Sequence, residues 1–388
     1  MDFGVEDTHE AIRDGVRRVC ASFDDAYWRR CDADHEFPWA FYDAMAEGGW
    51  VGIAIPERWG GGGQGITEAS IVLEEVAASG AAMNGCSALH LSIFGMNPVV
   101  KHGSDAMRDR YLPQVVDGSL HVAFGVTEPD AGTDTTSITT TARRVDGGYL
   151  VRGRKVWTTK ATLCQKVLLL VRTMPAAECA KRTDGMTLLL ADLQRPEVDI
   201  RPIDKLGRNA VVSCEVRYDD LFVADDDRIG EEGRGFHYLL DGLNPERILV
   251  AAEALGIGRA AVRRAVRYAN DRVVFGRAIG QNQGLAFPLA ASHAALHAAE
   301  LVIREASWRY DNGLPCAEHA NTAKLLAADA AFDAADRALQ THGGMGYAKE
   351  YDVERWWREA RLMKIAPISQ EMVLNYLAEH VLGLPRSY

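Results

Sequence analysis

The spacing of apolar positions along the chain changes character twice. Residues 5 to about 118 carry Ala- and Glu-rich stretches such as ITEASIVLEEVAAS, punctuated by Pro56 and the run Gly60 to Gly63, and predict a helical domain over 1–119. From about 121 to 223 the texture becomes β-branched and alternating, in HVAFGV, GYLVRGRKVWTT, KVLLLVRT, MTLLLADL, VDIRPI and SCEVRYDDLFV. With the turn signal Asp146-Gly147-Gly148, this predicts an antiparallel β domain over 120–230. After Gly233 helical spacing returns, with Leu255, Val262, Val266 and Ala269 in step, and predicts a four-helix bundle over 231–388. The fold class is α+β, multi-domain, with no internal repeat or low-complexity linker.

At roughly 150 residues per domain, 388 residues allow two or three domains. The 47% apolar and 25% charged content excludes a disordered chain. A net charge of −11 repels phosphate backbones and anionic lipid, so nucleic acid is not an expected partner. Cys20, Cys31, Cys86, Cys164, Cys179, Cys214 and Cys316 form no CxxC pair and read as reduced thiols of a cytoplasmic protein. The start MDFGVEDTHEAIRDGVRR has no apolar leader, and the runs VLLLV (167–171) and MTLLLA from Met186 are too short for a membrane span.

Walker A, HExxH and GxSxG patterns are absent. His293 and His297 share a helix face with Glu300, but no second ligand cluster accompanies them and no metal is expected. LGIGRAA (255–261) contains GxGxxA inside a helical pattern, which is the wrong setting for a dinucleotide turn. Gly60 to Gly63 reads as a loop. Two segments are denser. GVTEPDAGTDTTS (125–137) offers backbone N–H groups and hydroxyls that can close round an anion or a polar ring edge. In QTHGGMGYAKEYDVERWWREAR (340–361), Gly343, Gly344 and Gly346 permit close backbone approach ahead of a charged, Trp-rich helix.

Together these segments resemble the signatures of the acyl-CoA dehydrogenases: Gly125 to Asp134, and Gln340-x-x-Gly343-Gly344-x-Gly346-Tyr347 followed by Glu350, Arg355 and Glu359. KVWTT (155–159) and RVVFGRAIGQNQ (272–283) match two further family blocks in order, so the resemblance spans essentially the whole chain. It implies a subunit that binds FAD non-covalently between the sheet domain and the C-terminal bundle, in a homotetramer or homodimer. It implies that Phe124, Val126 and Thr127 line the flavin ring, that Gly132 and Thr133 approach the pyrophosphate and the substrate, and that Trp157 and Thr159 meet the ring from a second strand. Arg272, Phe275, Gln283, Gln340, Gly343 and Gly344 would hold the adenine and diphosphate half across a subunit interface.

The implied reaction removes the α proton of an acyl-CoA thioester and transfers the β hydride to flavin, with electrons passing to an electron-transferring flavoprotein in fatty acid metabolism. It needs a desolvated carboxylate base and donors to the thioester oxygen. Most relatives carry the base in a C-terminal Glu-Gly-Thr-Ser segment; counted from Arg358-Glu359-Ala360-Arg361, that position here is Pro367. A minority resembling isovaleryl-CoA and long-chain dehydrogenases place it on a bundle helix, where this chain has Glu246 in GLNPERILVAAE. Glu246 is therefore the expected base, although a carboxylate behind Asn244-Pro245 also suits the first turn of a helix. Asn244 and Arg247 are expected at the substrate, with Met96, Leu91 or Ile93 flooring its pocket, and Ser369 and Glu371 at the cofactor, Glu371 also being the fallback base. Proline lacks the N–H that holds the thioester oxygen in relatives, so the loop around Pro367 is expected to be rearranged, with the Ile368 amide or a ribityl hydroxyl as donor. Alternatives are an oxygen-using monooxygenase or oxidase of the same fold, a dehydrogenase of carrier-protein-bound acyl groups, and a non-catalytic scaffold.

Overall fold

The N-terminal helical pattern becomes α1 (Asp7–Cys20), α2 (Asp25–Asp34), α3 (Trp39–Glu47), α4 (Ile66–Val76), α5 (Ala82–Ile93), α6 (Asn97–His102) and α7 (Asp105–Val116) in the computed structural model, which describes residues 7–387. Side chains stop the helices where the sequence offers them. Asp24 accepts from Tyr27 N ahead of α2, and Ser104 accepts from Met107 N ahead of α7. The start of α4 is capped from far along the chain: the Asp311 carboxylate takes Ile66 N at 2.8 Å and Thr67 N at 2.9 Å.

The middle strands are β1 (Val122–Gly125), β2 (Thr141–Val145), β3 (Gly148–Thr159), β4 (Lys166–Arg172), β5 (Met186–Asp192), β6 (Val198–Ile203), β7 (Ser213–Ala224) and β8 (Arg228–Ile229), in the order β6-β7-β3-β2-β4-β5-β8. The expected antiparallel pattern holds except around β4, which runs parallel to β1 and meets β2 in parallel at Thr141–Arg172. The unbroken run VLLLV is explained by burial on both faces of β4. Leu168 and Leu170 pack with Met96 just before α6 and with Tyr111 and Leu112 of α7, while Val167, Leu169 and Val171 pack with Tyr149, Val216 and Leu221 of β3 and β7.

The C-terminal pattern forms α8 (Gly235–Asp241), α9 (Leu243–Asp271), the hairpin β9 (Val273–Val274) and β10 (Arg277–Ala278), then α10 (Gln283–Asp311), α11 (Ala317–His342), α12 (Val353–Met363) and α13 (Gln370–Tyr376). α9, α10 and α11 pack on one another, with α12 closing against α9 and α11. This bundle does not keep its own core. Ile12, Val16, Trp28, Phe41 and Val76 of the N-terminal helices share one apolar cluster with Leu249, Leu255, Leu296 and Trp356.

LGIGRAA lies within α9, and its glycines serve helix contact: a Cβ on Gly256 would stand 2.3 Å from the Glu74 carbonyl oxygen and 2.6 Å from Ala77 Cβ. Helix propensity alone favours Ala there by about 1 kcal/mol. We nevertheless expect Gly256→Ala to destabilise the protein by about 1–3 kcal/mol through overpacking against backbone that cannot yield, read as a lower urea midpoint; an unchanged midpoint would refute that contact.

α10 is a long apolar helix of the bundle, and the short apolar runs in the sequence did not reveal it. It is long and apolar enough to cross a membrane by length and composition, and a third of its most apolar 18-residue window is buried. Leu289, Leu296 and Ile303 face the bundle, whereas Phe287, Leu301 and Trp308 are exposed.

Candidate active site

β1 feeds the 125–137 segment, which is fastened to β3 by a buried ion pair. Lys155 Nζ lies 2.8 Å from Glu128 Oε1 and donates to the Val126 carbonyl at 2.9 Å. The Glu128 carboxylate also accepts from Thr139 N at 2.7 Å, Thr139 Oγ1 at 2.8 Å and Thr140 N at 2.9 Å. Against the upward push of burial, Lys155 and these donors hold the Glu128 carboxyl down at about 2. Burial pulls the Lys155 ammonium down to about 8, which leaves the pair ionised at neutral pH.

Just beyond Lys155, β3 slips register against β7, from Lys155–Val216 to Thr158–Cys214, so β3 carries one extra residue. Such a bulge re-aims side chains. Trp157 stands within it at φ 62 with its ring 54% exposed, a conformation that costs a bulky residue about 1–3 kcal/mol. Val156 N donates to Thr127 O at 2.9 Å, which sets Thr127 beside the bulge. Phe124, Val126, Thr127 and Thr159 are half-buried, and Gly132 and Thr133 are exposed. The Thr158 hydroxyl is buried without a hydrogen-bond partner.

α5 links this strand end to the helix carrying Glu246. Its Ala88 carbonyl accepts from Lys160 Nζ at 3.0 Å, and burial lowers that ammonium's pKa. Its Ser87 hydroxyl meets Arg208 Nη1 at 3.3 Å; Arg208 Nη2 reaches Ser213 Oγ at 2.6 Å and lies 3.5 Å from Thr159 Oγ1. One turn on, His90 is clamped between two carboxylates of α9. His90 Nε2 is 2.8 Å from Glu246 Oε2, and His90 Nδ1 is 2.8 Å from Glu253 Oε1. Burial opposes a charged ring, but the two carboxylates override it and raise the His90 pKa well above its ordinary value. The Glu246 side chain keeps 26% of its surface exposed, whereas Glu253 is buried.

Arg247 points elsewhere on the helix, donating to Asn244 Oδ1 at 3.1 Å, with its Nε buried and unpartnered. Burial lowers its pKa. Asn244 lines an open cavity of about 670 Å³ with Lys101, Tyr310 and Cys316; Ile93, Phe94, Met96 and Asn97 line an adjoining cavity of about 180 Å³. Met96 and Ile93 line the smaller cavity, Leu91 lines neither, and neither does Glu246. What sets Glu246 apart is its contact with the His90 ring rather than a cavity.

The loop after α12 is committed to structure. The Ile368 carbonyl accepts from Lys324 Nζ at 2.6 Å, and Pro367 is exposed. Ser369 accepts from Met372 N at 3.4 Å as the cap of α13. Glu371 is exposed in the first turn of α13, where its own backbone N–H and the Ser369 hydroxyl hold its carboxyl below the usual range.

The residues expected at the adenine half face outward in two places. Arg272 and Gln283 flank the β9–β10 hairpin, whose tip presents Phe275 fully exposed at φ 51, and Gln340, Gly343 and Gly344 end α11 on the surface. Among the described residues no hydrogen bond or ion pair joins either place to the 125–137 segment or β3. His293 and His297 are exposed on α10, and Glu300 is taken by Arg259 and Arg304. Sequence reasoning missed His90, Glu253, Arg208 and the Lys155–Glu128 pair. The available signal was a lone titratable residue in an apolar run, as in CSALHLSIF and ILVAAEALG.

Comparison with known proteins bears on the arrangement as a whole. The acyl-CoA dehydrogenase N-terminal, middle and C-terminal domain families match residues 6–119, 123–221 and 233–382. The acyl-CoA dehydrogenase FadE12 of Mycobacterium tuberculosis is 39% identical over 387 residues, covering 98% of this chain and 97% of that protein. The 3-(aryl)acrylate reductase of Clostridium sporogenes is 33% identical over 379 residues, covering 96% and 98%. The butyryl-CoA dehydrogenase structure from Megasphaera elsdenii superposes with a TM-score of 0.93 at 28% identity, covering 98% of this chain and all of that one. The chain belongs to the acyl-CoA dehydrogenase family of oxidoreductases.

Proposed function

We propose that this protein is an FAD-dependent enzyme that removes the α proton and β hydride of an acyl-CoA thioester, with Glu246 as the base and an electron-transferring flavoprotein as the electron acceptor. The observation that carries the reading is the Glu246 carboxylate itself, partly exposed on α9 and hydrogen-bonded to His90, in a chain with proline at the other family position. The residues present suit a flat ring with polar edges. Gly132, Gly343 and Gly344 face open space, with no atom within 4 Å of where a Cβ would stand, and the Trp157 ring is held outward beside Thr127.

Bound FAD supplies the hydride acceptor. Phe124, Val126, Thr127, Trp157 and Thr159 hold the ring, Gly132 and Thr133 serve the pyrophosphate and substrate, and Asn244 and Arg247 position the acyl-CoA. Glu246 takes the α proton on the carboxylate oxygen not engaged by His90. The exposed Phe275, Phe287, Met345 and Tyr347 favour a second copy of the chain completing the adenine end in a dimer or tetramer, with Arg272, Gln283 and Gln340. All seven cysteines are free, which suits the cytoplasm.

The test is an anaerobic visible spectrum of the purified protein before and after addition of straight, branched and aryl acyl-CoAs. Bleaching of the flavin band by one of them is the expected result. A flavin left oxidised by all of them would overturn the proposal in favour of carrier-bound substrates or an oxygen-using relative.

A further inference from the structure

A base on a helix needs something to fix its rotamer, and two carboxylates seven residues apart on one helix share a face two turns apart. In α9 these are Glu246 and Glu253, and the His90 ring from α5 fills the interval with one nitrogen on each. We propose that His90, locked by Glu253, is the positioning residue of the reaction: as an imidazolium it holds Glu246 Oε2 and keeps that carboxylate ionised and aimed, leaving Oε1 to receive the substrate proton. This rests on the reading of Glu246 as the base.

The geometry explains each part. Glu253 is buried and accepts from Nδ1, so the ring cannot flip without breaking a bond inside the protein. With Nδ1–H directed to Glu253, only a doubly protonated ring donates from Nε2 to Glu246. A neutral ring would turn a lone pair toward the Glu246 carboxylate. The other groups facing the trio are Arg247, whose positive charge acts on Glu246, Arg208, whose positive charge acts on Glu253, and the Cys86 thiol, which burial pushes well up. Lys160 just after β3, Tyr42 of α3 and Glu359 of α12 meet α5 at Ala88, Ser92 and Met83–Asn84 instead. Among the other buried histidines, burial lowers His121 to about 4 and also lowers His342, so neither rivals His90 for a proton.

The experiment measures the anaerobic rate of flavin reduction by acyl-CoA against pH in the holoenzyme, for wild type, His90→Gln, Glu253→Gln and Glu246→Gln. His90→Gln keeps a donor and loses the charge, so the acid limb should move to higher pH by about one unit or more with KM little changed. Glu253→Gln keeps an acceptor and loses the charge that retains the ring proton, so a new basic limb should enter the neutral range. A packing role would move neither limb. Two variants with wild-type rates and profiles, beside an inactive Glu246→Gln, would remove this inference alone; a Glu246→Gln enzyme reduced at the wild-type rate would remove the base and this inference with it. Nitrogen-15 NMR of histidine-labelled wild-type holoenzyme decides the matter even if a variant does not fold. One ring protonated on both nitrogens at pH 8 is expected, and its absence would overturn the proposal.

Discussion

Glu246→Gln is expected to slow flavin reduction by acyl-CoA about a hundredfold or more while leaving FAD content and acyl-CoA affinity close to wild type. The substitution is nearly isosteric, and the amide oxygen can still accept from His90 Nε2, so the loss isolates the proton-accepting role. A general base contributes about 10²–10⁴-fold, or about 3–5 kcal/mol of barrier. Anaerobic stopped-flow at saturating acyl-CoA reads it directly. A rate within about threefold of wild type would mean that the α proton goes to another group, and would count Glu246 as a helix-start carboxylate only.

Lys155→Met should be the most damaging single change in the sheet. It leaves the Glu128 carboxylate buried without its cation, and breaking such a pair costs about 3–5 kcal/mol out of a total of about 5–15. Urea unfolding of the variant should show that loss, and the 125–137 segment, released from β3, should give up FAD more readily. The pH dependence has a defined sign. Glu128 goes from 4.5 in the unfolded chain to about 2 in the fold, so its contribution is present above 4.5 and is lost as pH falls toward 2. Removing Lys155 raises the folded value and flattens stability across that window. A Lys155→Met, Glu128→Gln double variant should recover part of the loss, because no unpaired charge then remains. Equal losses in the single and double variants would show that the charge pair is not the cause.

How much could be read beforehand follows the range of the interactions. KVLLLVRT could be read as a strand, and Glu246 could be named as a candidate because its own segment and the proline at 367 pointed to it. His90 could not, since its partners lie 156 and 163 residues away and its own segment has no pattern that names them. Lys155 and Glu128 sat inside two recognised motifs, yet only the crossing of those segments reveals that each is there for the other. The glycines of LGIGRAA looked like a poor nucleotide turn; the need for Gly256 depends on how close α4 comes, and that for Gly258 on α10 and α11. An amphipathic helix states that one face is covered and not by what, so the core joining N- and C-terminal helices was invisible in the pattern.

That common core gives the chain an awkward birth. The apolar faces between Ile12 and Phe94 are completed by residues from Ile248 to Met363, so the helices made first can pack only on one another until roughly 150 further residues have been synthesised, an interval of about 10–30 s at ordinary elongation rates. Through that interval the sheet can close on itself, while the leading segment leaves one apolar face uncovered. The middle domain is in this sense an insertion into a single helical body, and a ribosome stalled before residue 248 would carry a finished sheet beside an unfinished core.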